Sequence, residues 1–226
     1  MGDLKGWLLG VREKSRQIGA LAFRRTEIKR EEWRRLSEDD PILSSAPFNS
    51  ALERVYDEQD DCTSFWRRTV LMDLDDPLDN ESIFVDFQPL YEAIHIYGCL
   101  NKGEELRSTY EADRRKQMDL LLPSYLNLDD NGKQLNDLLA DVAGFSIIER
   151  GTSAKTQNFR SMSEIEGIWD VMCARVIELI TDTVGKITEP RVLLMVKDSV
   201  MLFMQTVQVI CPVKQNSSFP EIRLLS

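Results

Sequence analysis

Apolar residues recur along most of this chain at intervals of three and four, the spacing that places them on one face of an α-helix. No segment alternates apolar and polar residues as a strand would. The first helical stretch covers residues 4–36, and Pro41 disfavours helix at the residue before it. Its stripe is formed by Leu8, Val11, Ser15, Ile18, Ala22 and Thr26, flanked by Leu21 and Leu36.

Five more helices are predicted after residue 85. Pro89 stands where a first helical residue is tolerated, because its missing N–H would be unpaired there anyway. It opens a predicted buried helix over 89–99, and Pro123 closes the next, over 103–121. The apolar face of the first of these comprises Leu90, Ala93, Ile94 and Tyr97.

Capping signals mark the last three helices. Gly151 predicts an αL end for a helix over 133–150. Ser163 and Glu166 have the spacing of a capping box and predict a start for a helix that runs to about residue 184. Thr188-Glu-Pro190 predicts the start of the last helix, to about residue 209. The predicted inner face of the helix over 133–150 comprises Leu135, Leu138, Leu139, Val142, Phe145 and Ile148. That of the helix ending near residue 184 comprises Ile168, Trp169, Met172, Val176, Leu179 and Ile180. That of the last helix comprises Leu193, Leu194, Val196, Val200 and Phe203.

The fold class that follows is all-α, an elongated bundle or rod of about six helices. We expect a long basic helix over 1–36 and an acidic, partly disordered segment over 37–84, where prolines and acids are frequent and no period is sustained. A helical bundle over 85–210 and a frayed tail over 211–226 complete the predicted organisation.

Charge is unevenly placed in a chain whose net charge is −10. Residues 1–36 hold ten Lys or Arg against five Asp or Glu, whereas residues 37–86 hold three against fourteen. An acidic chain repels nucleic acid and anionic lipid overall, so nucleic acid is not an expected partner and only the first helix could dock anionic lipid. The candidate interface residues on that helix are Arg24, Arg25, Lys29, Arg30, Arg34 and Arg35. A solvated helix face, an acidic partner, anionic lipid and an internal contact with residues 37–86 are the alternatives.

The sequence offers no catalytic, cofactor-binding or metal-binding set. His95 is the only histidine, so any Cys–His, Ser–His or His-containing zinc site must use it. Residues 127–138 imitate a calcium loop but have Asn127 first and Leu138 twelfth, which removes the bidentate glutamate. There is no glycine-rich phosphate loop. The four cysteines form no CxxC pair and are expected to be reduced core or loop thiols. A non-enzymatic chain is therefore expected.

Several short motifs are similar to one known family. They are Asp86-Phe87-Gln88-Pro89-Leu90-Tyr91, His95-Ile96-Tyr97 and Arg114-Arg115-Lys116-Gln117, together with residues 11–20, the Gly-Phe-containing segment 142–149, Ile168-Trp169 and Lys197-Asp198. These resemble the Sec-fifteen subunits of the exocyst, the complex that tethers secretory vesicles to the plasma membrane. The resemblance covers roughly residues 85–209 and the first helix.

That resemblance implies a helical-rod scaffold whose partners are other exocyst subunits and exocytic regulators, in the cytoplasm and peripherally at plasma-membrane sites of secretion. It also implies a fragment that lacks the family's amino-terminal coiled coil and its carboxy-terminal bundle. Because Rab-type GTPase binding is placed in that bundle, no Rab-contact residue is carried over. The alternative function is a helical adaptor that binds anionic membrane through residues 12–35. A weak contact with anionic membrane is accordingly included among the expected partner interactions.

Overall fold

The computed structural model describes residues 2–39, 85–126, 128, 132–156 and 159–210. Over these residues the chain forms helices and no strand, which confirms the all-α prediction. The helices are α1 (Gly2–Asp39), α2 (Gln88–Cys99), α3 (Gly103–Leu121), α4 (Lys133–Lys155), α5 (Met162–Val184) and α6 (Pro190–Ile210). The expected acidic segment, from residue 40 onward, and the expected tail lie outside the described residues.

The bundle is organised around α1 and α4, which make the most extensive contact in the described structure. α6 packs against both, α5 packs on α4, and α2 and α3 lie against α1. All six residues of the predicted α1 stripe are buried, and so are all six of the predicted inner face of α4. The basic first helix is therefore a central element of the bundle.

Two apolar clusters fill the interior. The carboxy-terminal cluster joins α4, α5 and α6 and receives Phe23 of α1 and Met118 of α3. The amino-terminal cluster joins the first half of α1 to α2, α3 and the end of α4. Its members include Trp7, Leu90, Tyr110 and Ile148, all of them buried. Both clusters share α1 and α4, so the crossing of these two helices connects them.

The predicted αL end at Gly151 is wrong. α4 continues to Lys155, and Gly151 is buried within it. The extra turn is held from outside the helix, because Ser153 Oγ donates to the Arg160 carbonyl at 2.8 Å. Thr152 Oγ1 donates within the helix, to the Ile148 carbonyl at 3.0 Å. Tertiary contacts thus override a local stop signal.

The capping box of α5 lies two residues before the predicted pair Ser163 and Glu166. Ser161 Oγ accepts from the backbone N–H of Glu164 at 3.3 Å, and Glu164 Oε2 accepts from the backbone N–H of Ser161 at 2.6 Å. The Ser-x-x-Glu spacing occurs twice in this segment, and the earlier copy begins the helix.

The helix predicted over 89–99 is present as α2, but the prediction that it is buried is wrong. Of the residues of α2, only Leu90 is fully buried, while Tyr91 and Ile96 are exposed. The principal contacts of α2 are with α1 and α3, which cover one side of it. Leu194, predicted on the inner face of α6, is 66% exposed.

Candidate interaction surfaces and the network that supports them

Two glycines allow α1 and α4 to cross with their backbones in contact. A Cβ atom at Gly19 would lie 1.8 Å from the Ala140 carbonyl oxygen, and one at Gly144 would lie 1.8 Å from the Ser15 carbonyl oxygen. Neither distance is sterically allowed, so only glycine permits this approach. Both glycines belong to motifs that carried the family resemblance, which indicates that those motifs specify a packing geometry.

A buried charged network stands at the amino-terminal side of this crossing. Glu149 of α4 accepts from Arg114 Nε of α3 through Oε1 and from Arg160 Nη1 through Oε2, both at 2.5 Å. Tyr110 Oη also donates to Glu149 Oε1, at 3.1 Å. All four residues are buried. A carboxylate removed from water requires such partners, and Glu149 has three.

The network extends to α1 through Gln117. Arg114 Nη1 donates to Gln117 Oε1 at 2.5 Å, and Gln117 Nε2 donates to the Leu8 carbonyl at 3.0 Å. The Arg114 guanidinium also lies over the Phe145 ring, 4.0 Å from its centroid. The network therefore fixes the relative positions of α1, α3 and α4.

Tyr110 serves this network as a hydrogen-bond donor. Burial, and after it the negative charge of Glu149, raises the pKa of the Tyr110 phenol well above its ordinary value. The phenol consequently keeps its proton at neutral pH. Its ring stands edge-on to Phe159 at 5.5 Å between centroids, which joins the polar network to the amino-terminal cluster.

The segment before α2 is also held against α1. Trp7 Nε1 donates to the Asp86 carbonyl, and the Trp7 and Phe87 rings lie 5.9 Å apart. Phe87 is buried, and Pro89 occupies the first turn of α2. The Asp-Phe-x-Pro motif thus anchors α2 on the bundle.

The six candidate basic residues lie around the solvent side of the second half of α1. Arg24, Arg34 and Arg35 are exposed, whereas Arg25, Lys29 and Arg30 are half-buried. The six residues are spread around the helix and do not form a narrow stripe. At about 100° per residue, Arg24 and Arg35 lie opposite the buried Ala22, Thr26 and Trp33, whereas the three half-buried residues border that buried face.

Much of this basic charge has nearby acidic partners. Arg34 pairs with Glu31 at 2.8 Å and with Glu38 at 2.6 Å, and Arg35 pairs with Glu31 at 3.3 Å. The Arg34 hydrogen bond holds the pKa of the Glu31 carboxyl down at about 2. Such exposed pairs contribute little to stability.

Two more pairs lie on this surface. Lys29 pairs with Glu32 at 3.1 Å, and Arg30 pairs with Asp198 of α6 at 2.5 Å. The contact between Arg30 and Asp198 joins the basic surface to the carboxy-terminal side of the bundle. It also gives the Lys197-Asp198 motif a structural role.

Among the other residues weighed for chemistry, one cysteine and the histidine approach each other at the surface. His95 is exposed on α2, 3.9 Å from Cys99 Sγ, which is a free and exposed thiol on a helix. Cys173 is half-buried, and Cys62 and Cys211 lie outside the described residues. Four residues of the calcium-loop imitation, 127 and 129–131, also lie outside them. Within the described residues no group of three or more His, Cys, Asp or Glu is placed to hold a metal, and no helix could span a bilayer.

The charged network was not predicted from the sequence, although Arg114 and Glu149 both stood in motifs quoted for the resemblance. A charged residue, taken by itself, is predicted to lie at the surface. The helical register of α3 could have indicated that Arg114 is buried. Tyr110, Arg114 and Met118 follow Leu106 at intervals of four, on the buried face of this helix.

The described residues define the class of fold: an all-helical bundle with a buried charged network and a basic surface on α1. No family model matches the chain, and no solved structure matches it. It is 28% identical over 208 residues to the exocyst complex component sec15 of Schizosaccharomyces pombe. It is 26% identical over 216 residues to exocyst complex component 6B of Mus musculus, and 23% identical over 215 residues to component 6 of Homo sapiens.

Each of these alignments covers 92% of this chain but only 25–27% of the relative. The chain is homologous to these exocyst subunits, and the resemblance found in its motifs is confirmed. It spans about a quarter of the length of the curated relatives it matches.

Proposed function

We propose that the chain is a non-enzymatic scaffold segment of an exocyst subunit, which acts in the tethering of secretory vesicles through protein–protein contacts. The observation that carries the proposal is homology to exocyst subunits along 92% of the chain. A rigid bundle suits this role because a scaffold must hold its contact surfaces at fixed positions. The close helix crossing and the buried network supply that rigidity.

The partners we propose are other exocyst subunits and exocytic regulators, with Rab-type GTPase binding expected outside these residues. The proposed location is the cytoplasm, peripherally at sites of secretion on the plasma membrane. The candidate contact surface is the basic second half of α1, which includes Arg24 and Arg35 as exposed cations. Acidic side chains near these cations would compete with a partner for them. Because binding there would be electrostatic, its affinity should fall as the salt concentration rises.

The experiment is a binding titration of this chain against purified exocyst subunits, one at a time. We expect saturable binding to at least one of them. The matched control is an unrelated helical bundle of similar size and net charge, which should bind none. If no exocyst subunit binds the folded chain above that control, the proposed scaffold role is wrong.

The second candidate is an adaptor for anionic membrane, favoured by the exposed guanidinium groups of Arg24, Arg34 and Arg35. Each basic residue near an anionic surface contributes about 1 kcal/mol. The net charge of −10 acts against such binding. Flotation with vesicles that contain or lack phosphatidylserine separates the two candidates. The adaptor function would be established by two results. The chain would float only with the anionic vesicles, and reversing the charges of Arg24 and Arg35 would abolish that flotation.

A further inference from the structure

A groove of about 380 Å³ lies between α1, α3 and α4 on the side of the bundle that adjoins the buried network. Leu9, Arg12 and Arg16 line it from α1, Leu120 lines it from α3, and Asp141 lines it from α4. Arg114, the central arginine of the network, also lines it. The wall of this surface groove thus includes a residue of the charged interior, whose own side chain is covered.

Arg114 has one donor group to spare. Its side chain is fully buried, and its Nε and Nη1 donate to Glu149 and Gln117. Its Nη2 has no acceptor in the described structure. A buried N–H group without an acceptor costs on the order of 1–3 kcal/mol, and more when the group is charged. An acceptor supplied from the groove would remove that cost.

The network also carries an excess of positive charge. Two buried guanidinium groups, Arg114 and Arg160, share the single carboxylate of Glu149. A buried charge is tolerated when it is paired, and here one positive charge has no buried counterpart among these residues. Since a hydrogen bond from a guanidinium to a carboxylate is charge-assisted and would balance the excess charge, the missing acceptor of Nη2 fits a carboxylate.

The rim of the groove combines apolar surface with charge. Leu9 is 72% exposed and Leu120 is 67% exposed. Arg12 is exposed beside them, while Arg16 is held by Asp141 at 3.2 Å. Glu13 also lines the groove and is the acidic group nearest in sequence to Arg12. Two exposed leucines that flank a buried cation match an amphipathic helix with apolar and acidic side chains.

We propose that this groove docks an amphipathic helical segment of a partner protein. One acidic side chain of the segment enters between the rim side chains to meet the covered Arg114, and its apolar side chains cover Leu9 and Leu120. The inference deepens the proposed scaffold function, on which it rests for the expectation that the segment belongs to an exocyst subunit. The groove is distinct from the basic second half of α1, because the α1 residues that line the groove lie in the first half of that helix.

The first probe is a pair of synthetic helical peptides of about five turns (~18 residues) with leucine at the same positions. One carries glutamate and the other lysine at the remaining positions. We expect the whole chain to bind the glutamate peptide at least about tenfold more tightly than the lysine peptide, in spite of its own net charge of −10. Preference for the lysine peptide, or equal binding, would overturn the inference.

A matched pair of variants locates the binding site. Arg12→Glu with Leu120→Glu alters the groove, and Arg191→Glu with Leu194→Glu makes the same changes at exposed residues of α6, outside both the groove and the basic surface of α1. We expect the groove variant to lose at least about tenfold in affinity for the glutamate peptide and the control to stay within about twofold. Equal losses in both variants, or none, would place binding elsewhere and overturn the inference.

Two further measurements separate the outcomes. Anionic vesicles bound by the parent chain but not by the groove variant would show a lipid site and overturn the peptide proposal. Exocyst subunits titrated with the same variants test the connection to function. If a subunit binds parent and groove variant equally, the scaffold role stands and the groove inference fails. If no subunit binds while the glutamate peptide still requires the groove, the groove stands and the exocyst role fails.

Discussion

The two apolar clusters on either side of the α1–α4 crossing differ in what they enclose. The carboxy-terminal cluster encloses hydrocarbon and aromatic rings, with Trp169 stacked on Phe203 at 6.0 Å between centroids. The amino-terminal cluster encloses the network of Glu149, Arg114 and Arg160. One side of the bundle is therefore held by non-directional burial, and the other by burial together with directional ion pairs and hydrogen bonds.

This difference has consequences for tolerance to substitution. A hydrocarbon core accepts side chains of similar volume at small cost, because burial does not depend on the direction of a bond. A buried ion network does not accept such changes, since removing one partner leaves the others charged and unpaired. We therefore expect the amino-terminal side to fix the positions of α1, α3 and α4 more strictly than the carboxy-terminal side fixes α5 and α6.

The largest expected effect comes from isosteric substitutions made once in each cluster. Glu149→Gln leaves Arg114 and Arg160 without a carboxylate and should lower the free energy of unfolding by about 3–5 kcal/mol. Met172→Leu conserves the volume of a fully buried side chain and should cost less than about 1.5 kcal/mol. Urea unfolding followed by circular dichroism measures both. Equal losses would remove the contrast between the clusters.

A control for the first prediction is Glu178→Gln on the exposed face of α5. It makes the same chemical change without a buried partner and should shift the unfolding free energy by no more than about 0.5 kcal/mol. If it destabilises as much as the change at Glu149, the effect is one of net charge and not of the network.

The next effect concerns the crossing that both clusters share. Gly144→Ala places a Cβ against the Ser15 carbonyl and should cost about 1–3 kcal/mol as α1 and α4 move apart. Gly167→Ala in α5 meets no atom within 4 Å and should stabilise by about 0.5–1 kcal/mol, because alanine is the better helix former. Thermal unfolding of the two variants checks the opposite signs. Stabilisation by both would show that the backbones do not touch.

A smaller effect distinguishes the two capping candidates of α5. Ser161→Ala removes a hydroxyl that caps the helix and should cost about 1 kcal/mol. Ser163→Ala, at the position that the sequence favoured, should change the unfolding free energy by less than about 0.5 kcal/mol. Urea denaturation again provides the measurement. A larger loss at Ser163 would restore the register predicted from the sequence.

The same cap makes a prediction for pH. Hydrogen bonds from the Ser161 backbone and then its hydroxyl hold the pKa of Glu164 below its ordinary value. A carboxyl whose pKa is lowered by folding stabilises the protein above its unfolded pKa, and that contribution is lost as the pH falls through the folded pKa. We expect this acid loss to be smaller in Ser161→Ala than in the parent, as measured by unfolding between pH 6 and pH 2.

Much of the fold could be predicted because the helices are amphipathic. The stripe from Leu8 to Thr26 and the inner face of α4 are buried as the spacing of their apolar residues requires. The carboxy-terminal ends of α3, at Leu121, and of α5, at Val184, also agree with the prediction. Periodicity indicates which face of a helix is covered, and this is a local property of the sequence.

The remaining features depend on contacts between distant residues. Glu149 and Arg114 are separated by 35 positions, and nothing local distinguishes them from exposed charged residues. Gly19 and Gly144 read as weak helix positions until the opposing backbone is known. The candidate basic surface was predicted from charge alone. Its ion pair between Arg30 and Asp198 depends on how α6 packs against α1, which no local pattern contains.

The smallest effect on stability, and the most direct test of the candidate interface, concerns the exposed face of α1 beside the carboxy-terminal cluster. Arg24→Glu with Arg35→Glu reverses two exposed charges, whereas Arg107→Glu with Lys116→Glu does the same on α3. Both double variants should unfold close to the parent midpoint, because surface substitutions rarely alter packing. Only the α1 variant should lose affinity and salt sensitivity toward an acidic exocyst partner. Equal binding by the parent and both variants would remove the basic surface as an interface and leave the groove at Arg114 as the candidate, since its residues are untouched by these changes.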